Sequence, residues 1–203
     1  MVYPDVMIDL EMLGLRPNAP IVSIGAVQFN ADTGEIGQAY YEKIEWIHDQ
    51  SDRPLDRETV AWWLAKDPAA QAELIDREGC IKLKRALKLL DDFIPKDARI
   101  WANGITFDVV ILDDAYQNQA KRMPPWGFRK ARDCRTVKDA AETLGMDFKQ
   151  FKNTGQSHNA GDDCLFQIEW TCAAWQFITR AKDKKIAGYF HPPGRRPYPV
   201  VSE

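Results

Sequence analysis

Residues 5–11 read DVMIDLE. The segment alternates as a strand does, with Val6, Ile8 and Leu10 on one face and Met7, Asp9 and Glu11 on the other. Side chains at i and i+2 share a face, so Asp9 and Glu11 stand side by side in an otherwise apolar segment. Two such carboxylates repel, and desolvation raises the cost. A divalent cation relieves both penalties, and hard oxygen donors suit Mg²⁺ or Mn²⁺. Taken alone, the pair is better explained by a strand end where both side chains reach water.

The neighbouring sequence supplies partners for that strand. Residues 20–29 (PIVSIGAVQF) form a second strand, NADTG a turn containing Gly34, and residues 37–45 (GQAYYEKIE) a third strand. Two strands joined by a short turn with Gly make an antiparallel hairpin. Helical signals begin near Asp56, an N-cap residue, and run through TVAWWLAK. Leu83, Ala86, Leu87, Leu90, Phe93 and Ile94 give residues 81–94 the i, i+3, i+4, i+7 spacing of a helix. A fourth strand follows at 98–103 (ARIWAN), then a helix at 106–119, a short strand near 131–134 and a helix near 136–144. Residues 145–159 read as a loop, and 161–181 as a long, mostly apolar helix. This order predicts an α/β or α+β domain with a mixed sheet and helices packed on it. The domain is expected over 1–186, with an irregular Pro/Arg-rich tail at 187–203.

The bulk properties fit one such domain. The chain has 203 residues, of which 45% are apolar, enough for a substantial core. No repeat or low-complexity tract is present. There is no run of about 18 apolar residues, so no membrane span is expected. The N-terminus lacks the basic and apolar regions of a signal peptide, which predicts a cytoplasmic protein. Cys80, Cys134, Cys164 and Cys172 form neither a C-x-x-C pair nor a zinc-finger pattern, and are read as reduced thiols, mostly in the core. The net charge of −3 is unevenly spread: residues 1–60 hold 11 acidic and 4 basic side chains. An acidic site beside a more basic remainder suits a metal-dependent enzyme with a polyanionic substrate.

Three further acidic or basic groups stand at element ends. Asp108 lies in NGITFDVVIL, after the fourth strand. His158 and Asp163 lie in SHNAGDDCLF, at the entry to the last helix. Each aspartate is also explained by the preference of helix N-termini for negative charge. A histidine placed just before the helix can lie over a site while Asp163 projects from the first turn. The stretch 121–138 holds Lys121, Arg122, Arg129, Lys130, Arg132, Arg135 and Lys138 against Asp133, with Trp126 and Phe128 among them. Cations that track phosphates and rings that stack bases would grip a single strand. A solvated loop with its aromatics in the core is the alternative. Of the adjacent Trp62 and Trp63, at most one faces the core squarely, which leaves the other free for substrate.

Together, D-x-E on the first strand, N-x₃-F-D after the fourth and H-x₄-D at the last helix resemble the DEDDh group of 3′→5′ exonucleases. The segment DLEMLG…APIVSIGAVQF, the Trp pair in TVAWWL and the segment DCRTV are similar to phage exonuclease A and the Rv2179c-like exonucleases. The resemblance covers roughly residues 5–180. It implies an α/β, RNase H-like fold with a five-stranded mixed sheet flanked by helices. It also implies Asp9, Glu11, Asp108 and Asp163 as ligands of two Mg²⁺ ions, for which Mn²⁺ would substitute, and His158 as general base. Met12 stands where many relatives have Thr. Met12, Trp62, Phe107, Arg129, Arg132 and Arg135 are the expected substrate contacts. The implied activity is 3′→5′ hydrolysis of phosphodiester bonds in DNA or RNA with a free 3′ end, single-stranded, releasing 5′-mononucleotides. Related exonucleases are often dimers, so a homodimer is one expectation. The alternatives are a non-catalytic nucleic-acid-binding module of the same fold and a hydrolase of small phosphoesters.

Overall fold

The computed structural model describes residues 3–180. Residues 1, 2 and 181–203, which include the tail expected at 187–203, lie outside the described residues. Five strands form one sheet in the order β3-β2-β1-β4-β5. Strands β1 (Asp5–Met12), β2 (Ile21–Phe29) and β3 (Ile36–Lys43) run antiparallel to one another. Strands β4 (Arg99–Ala102) and β5 (Ala131–Asp133) continue the sheet in parallel with β1. The sheet is therefore mixed and five-stranded, with β1 at its centre.

Its two faces divide β1 as the alternation requires. Val6, Ile8, Leu10 and Met12 enter the larger core with Leu83, Ala86, Leu87 and Leu90 of α3 (Leu83–Phe93) and with Ile111 and Leu112 of α4 (Asp108–Asp114). Met7 faces the other way, among Cys134 of α5 (Cys134–Thr143) and Cys164 and Ile168 of α6 (Ala160–Arg180). A smaller cluster of Leu13, Val22, Trp63, Ala70 and Leu74 joins the sheet end to α1 (Arg57–Leu64) and α2 (Pro68–Ile75). Val22 reaches that cluster because it is the extra residue of a bulge: Glu11 pairs with Ser23, but Met12 pairs with Ile21.

Side-chain caps start four of these helices. Asp56 accepts from Thr59 N at α1, Asp67 from Ala69 N and Ala70 N at α2, and Asp133 from Thr136 N at α5. Asn159 accepts from Gly161 N and Asp162 N at α6. Each satisfies amide groups that have no partner within the helix. Helix α2 was not expected; it has eight residues and a short apolar face, with Ala70, Glu73 and Leu74 buried. The helix expected over 106–119 is α4 followed by a π-helical turn, Ala115–Gln119. Trp126, in the basic stretch, is a core anchor packed edge-on against Tyr116 at 5.5 Å, whereas Phe128 is 87% exposed. All four cysteines are free, three of them buried. No helix among the described residues is long and apolar enough to cross a membrane.

One glycine sets the distance between sheet and helix. Gly25 of β2 pairs with Asp9 of β1. A Cβ at Gly25 would overlap the Ala160 carbonyl and lie 2.8 Å from Gly161 N. The first turn of α6 thus rests directly on backbone beside Asp9, which only a residue without a side chain allows. Gly25→Ala is expected to destabilise the fold by about 1–3 kcal/mol, the usual cost of overpacking a close contact. A urea midpoint equal to that of the parent protein would show that α6 withdraws from the sheet freely.

Candidate active site

Asp9 and Glu11 project from β1 on the face away from the larger core. Asp108 opens α4, and its carboxylate accepts from Leu10 N of β1 at 3.3 Å. Asp163 stands in the first turn of α6, and Gln167, one turn further on, donates Nε2 to Asp9 Oδ1 at 2.8 Å. The four carboxylates line one open cleft of about 520 Å³ with His158, Trp62, Phe107 and Arg135. Glu11 is 7% exposed and Asp108 4%. Asp162 lies outside this cleft and braces the preceding loop by accepting from Gln156 N at 2.8 Å.

His158 sits just before α6 in the left-handed backbone region, at φ 64°. Such a conformation is strained for a residue with a side chain and persists where surroundings enforce it. Here the His158 amide donates to Asp163 Oδ2 at 3.0 Å. The imidazole meets Trp62 and Trp63 edge-on, at 4.8 and 5.9 Å between ring centres. Trp63 is 1% exposed and donates its Nε1 to Met12 O at 3.0 Å, while Trp62 is 44% exposed and borders the cleft. One ligating atom each of Glu11, His158 and Asp163 lies within 4.8 Å of the others.

The electrostatics are those of crowded like charges. Burial first, then the neighbouring Asp108, pushes the Asp9 carboxyl well above the usual range, against the pull of Gln167. Burial and then Asp9 do the same to Glu11. Burial raises Asp108 to about 7, although amide hydrogen bonds and Arg135 oppose it. Burial raises Asp163 as well. Among the described residues no Lys or Arg lies within ion-pair distance of these four groups. Asp5, on the same strand, shows the contrast. It is fully buried but receives Arg99 twice at 2.6 Å and Trp101 Nε1 at 2.7 Å. Uncompensated oxygen donors gathered in an open cleft fit a hard divalent cation such as Mg²⁺ or Mn²⁺. Gln167 Oε1, buried there without a partner among the described residues, is a further open acceptor.

The expected substrate contacts divide. Trp62, Phe107 and Arg135 line the cleft; Arg129 and Arg132 do not. Arg132 instead donates to the carbonyls of Arg129 and Ala131. Met12 lines an adjoining apolar pocket of about 400 Å³ that shares Glu11, Trp62 and Phe107 with the cleft. Several groups were not foreseen. Gln167 was legible as the i+4 neighbour of Asp163 on one helix face. Glu73 of α2 accepts from Tyr41 Oη and from Asn159 Nδ2, fixing the residue next to His158. Burial and this carboxylate push the Tyr41 hydroxyl up, so it stays a donor. Asn153 donates to Asp163 Oδ1 at 3.0 Å. No local pattern announces Glu73 or Asn153.

Solved structures of the same fold are similar at low identity. Cell-death related nuclease 4 is 11% identical with a TM-score of 0.60, over 89% of this chain and 65% of that one. E. coli exonuclease I, zinc-bound and in complex with single-stranded DNA, is 14% identical with a TM-score of 0.63, over 91% of this chain and 42% of that one. S. pombe Pop2p in its Mg²⁺- and Mn²⁺-bound form is 14% identical with a TM-score of 0.58, over 91% and 86%. The chain therefore spans less than two thirds of the first two. No curated protein matches it in sequence. These likenesses establish the expected α/β, RNase H-like fold. The family model of the Rv2179c-like 3′-5′ exoribonuclease domain matches residues 4–175, nearly all that the structure describes, and the chain belongs to that family.

Proposed function

We propose that this protein removes 5′-mononucleotides from the 3′ end of single-stranded nucleic acid, with two divalent cations held by Asp9, Glu11, Asp108 and Asp163. The observation that carries the reading is the convergence of four carboxylates, none paired with a cationic side chain among the described residues, beneath one histidine in an open cleft. S. pombe Pop2p binds Mg²⁺ and Mn²⁺, and E. coli exonuclease I binds single-stranded DNA, on the same fold, which supports both the metal and the substrate class. When bound, the metals would supply Lewis acidity, for the attacking water and for the departing 3′ oxygen.

The chain's own groups do the rest. His158 is the general base. Burial first, and then Lys66, holds its pKa below the ordinary 6.5, against Asp163 and Asp67. The imidazole is therefore neutral at physiological pH and able to accept a proton. The Trp62 and Trp63 edges pack the imidazole, and the Asp163 carboxylate holds the His158 backbone amide. The mostly apolar pocket beside Met12 takes the 3′-terminal nucleoside, and Glu11, Phe107 and Trp62 line both it and the carboxylate cleft. Arg135, at the far side of the cleft, faces the phosphate backbone.

The first consequence is a stability that depends on pH and metal. A carboxyl whose folded pKa is raised binds its proton more tightly when folded, so stability is lost as pH rises from the ordinary carboxylate range through the folded value. For Asp108 that window closes near 7. In chelator at pH 8, Asp108→Asn is expected to melt above the parent, by about 2–4 °C for each kcal/mol of repulsion relieved. The gain should shrink as pH falls toward 4, and saturating Mg²⁺ should raise the parent but hardly the variant. A variant that melts lower than the parent in chelator at pH 8 would argue against an acidic metal site.

The second concerns His158. With metal saturating, His158→Ala should lower kcat by about 10²–10⁴-fold and leave KM nearly unchanged, the usual worth of a general base. The parent's acidic limb should lie below pH 6.5, because its imidazole pKa is depressed, and the variant should lose that limb. Single-turnover rates on a 3′-labelled oligonucleotide from pH 5 to 9 measure both. A parent-like rate and profile would remove His158 from the chemistry.

A further inference from the structure

A second cavity, of about 540 Å³, opens on the side of the cleft away from the Met12 pocket. The two share Asn103, Arg135, Phe166 and Trp170, so the cavity continues the cleft without a separating wall. Lys138, Phe148 and Phe151 belong to the cavity alone. Residues 148–150 form a 3-10 turn in the loop before α6, which presents Phe148 against Phe151 at 5.5 Å and against Trp170 edge-on at 6.2 Å. Lys138 Nζ stands 5.5 Å from the Phe148 ring centre. Arg135, one helical turn before Lys138 on α5, donates to Asn103 Oδ1 at 3.3 Å. Asp139 is the one acidic residue of this lining.

We infer that this cavity receives the nucleotide on the 5′ side of the scissile bond, with its base against Phe148 and its 5′ phosphate between Arg135 and Lys138. The inference rests on the exonuclease reading above. A phosphodiester held at the carboxylates has one nucleoside on each side; of the pockets that adjoin the cleft, the Met12 pocket and this cavity are the two larger ones, and the third, of about 200 Å³, is lined by Asp162 and Glu169 and by no cation. The two pockets differ in charge as the two nucleosides do. The 3′-terminal nucleoside carries no phosphate beyond the scissile one, which matches the apolar Met12 pocket. The next nucleoside carries another phosphate, which matches a pocket that presents Arg135 and Lys138, the latter also 3.9 Å from Glu142 Oε1 on the same helix. Rings with an accessible face stack any base, so this subsite selects for a strand and not for a sequence.

The test compares two substrates in the full chain. Uridine and thymidine 5′-(p-nitrophenyl phosphate) place one nucleoside and the scissile phosphate, with nitrophenolate where the upstream nucleotide would be. Short 5′-phosphorylated oligonucleotides of the same bases add that nucleotide. Phe148→Leu, which keeps apolar packing but loses the ring, and Lys138→Ala, at a partly exposed position, are each expected to lower kcat/KM on oligonucleotides. The loss for Phe148→Leu should be about tenfold to a hundredfold, the range of one lost base stack. Both should leave the nitrophenyl esters within about twofold, and Phe148→Tyr should restore oligonucleotide cleavage. Removing the 5′ phosphate from a dinucleotide should erase the effect of Lys138→Ala but not that of Phe148→Leu. Unchanged oligonucleotide kinetics in both variants would overturn the assignment, and so would equal losses on both substrates. Parent protein inert on esters and oligonucleotides alike, with metal present, would instead overturn the exonuclease reading itself.

Discussion

Four carboxylates in one cleft, with no lysine or arginine of the described residues within ion-pair reach, are the constraint around which this fold is arranged. Their repulsion and desolvation oppose folding, and three of the four, Asp9, Asp108 and Asp163, are held by groups that do not neutralise them. The fold uses amides and neutral side chains for this purpose. Leu10 N holds Asp108, Gln167 holds Asp9, and the His158 amide and Asn153 hold Asp163. These donors orient the carboxylates and leave their charge for a cation. Asp5 shows that the same strand can neutralise a buried acid where the fold needs it silent, with the Arg99 fork and the Trp101 indole.

The apolar architecture absorbs the cost. β1 places its even-numbered apolar side chains in the larger core, and that core carries the central strand regardless of what its other face does. The other face is closed by α6, whose approach depends on the bare backbone of Gly25. The small cluster under α1 and α2 holds Trp63 rigid, and through it the His158 ring. Glu73, Tyr41 and Asn159 latch the same loop from the other side. A left-handed His158 is therefore fixed by packing and by hydrogen bonds together, as the proposed role of general base requires.

The carboxylates lie between walls of different character. One wall is apolar and ends at Met12; the other is aromatic and cationic and opens toward α5 and α6. On the proposed assignment of the two pockets, these flanks of the cleft distinguish the two nucleosides of a phosphodiester by charge. The basic stretch contributes less to it than its density along the chain implied. Of Arg129, Arg132 and Arg135, only Arg135 lines the cleft, because β5 is three residues long and α5 starts immediately after it.

The sequence by itself determined what depends on local periodicity and chain order. The alternation of DVMIDLE, the 3.6-residue spacing in α3 and the three acidic motifs in order specified the central strand, the helices and the four carboxylates. The left-handed turn at His158, the latch at Glu73 and the second wall at Phe148 and Phe151 were decided only by tertiary structure. Helix α2 lay between these cases: it has an N-cap and a proline at its start, but its eight residues carry too short a stripe to declare themselves. The physical reason is distance along the chain. Residues two or four apart are brought together by the backbone's own geometry. Glu73 and Asn159, or Asn103 and Phe148, meet only when the order β3-β2-β1-β4-β5 and the close seat of α6 on Gly25 bring their elements to one end of the sheet.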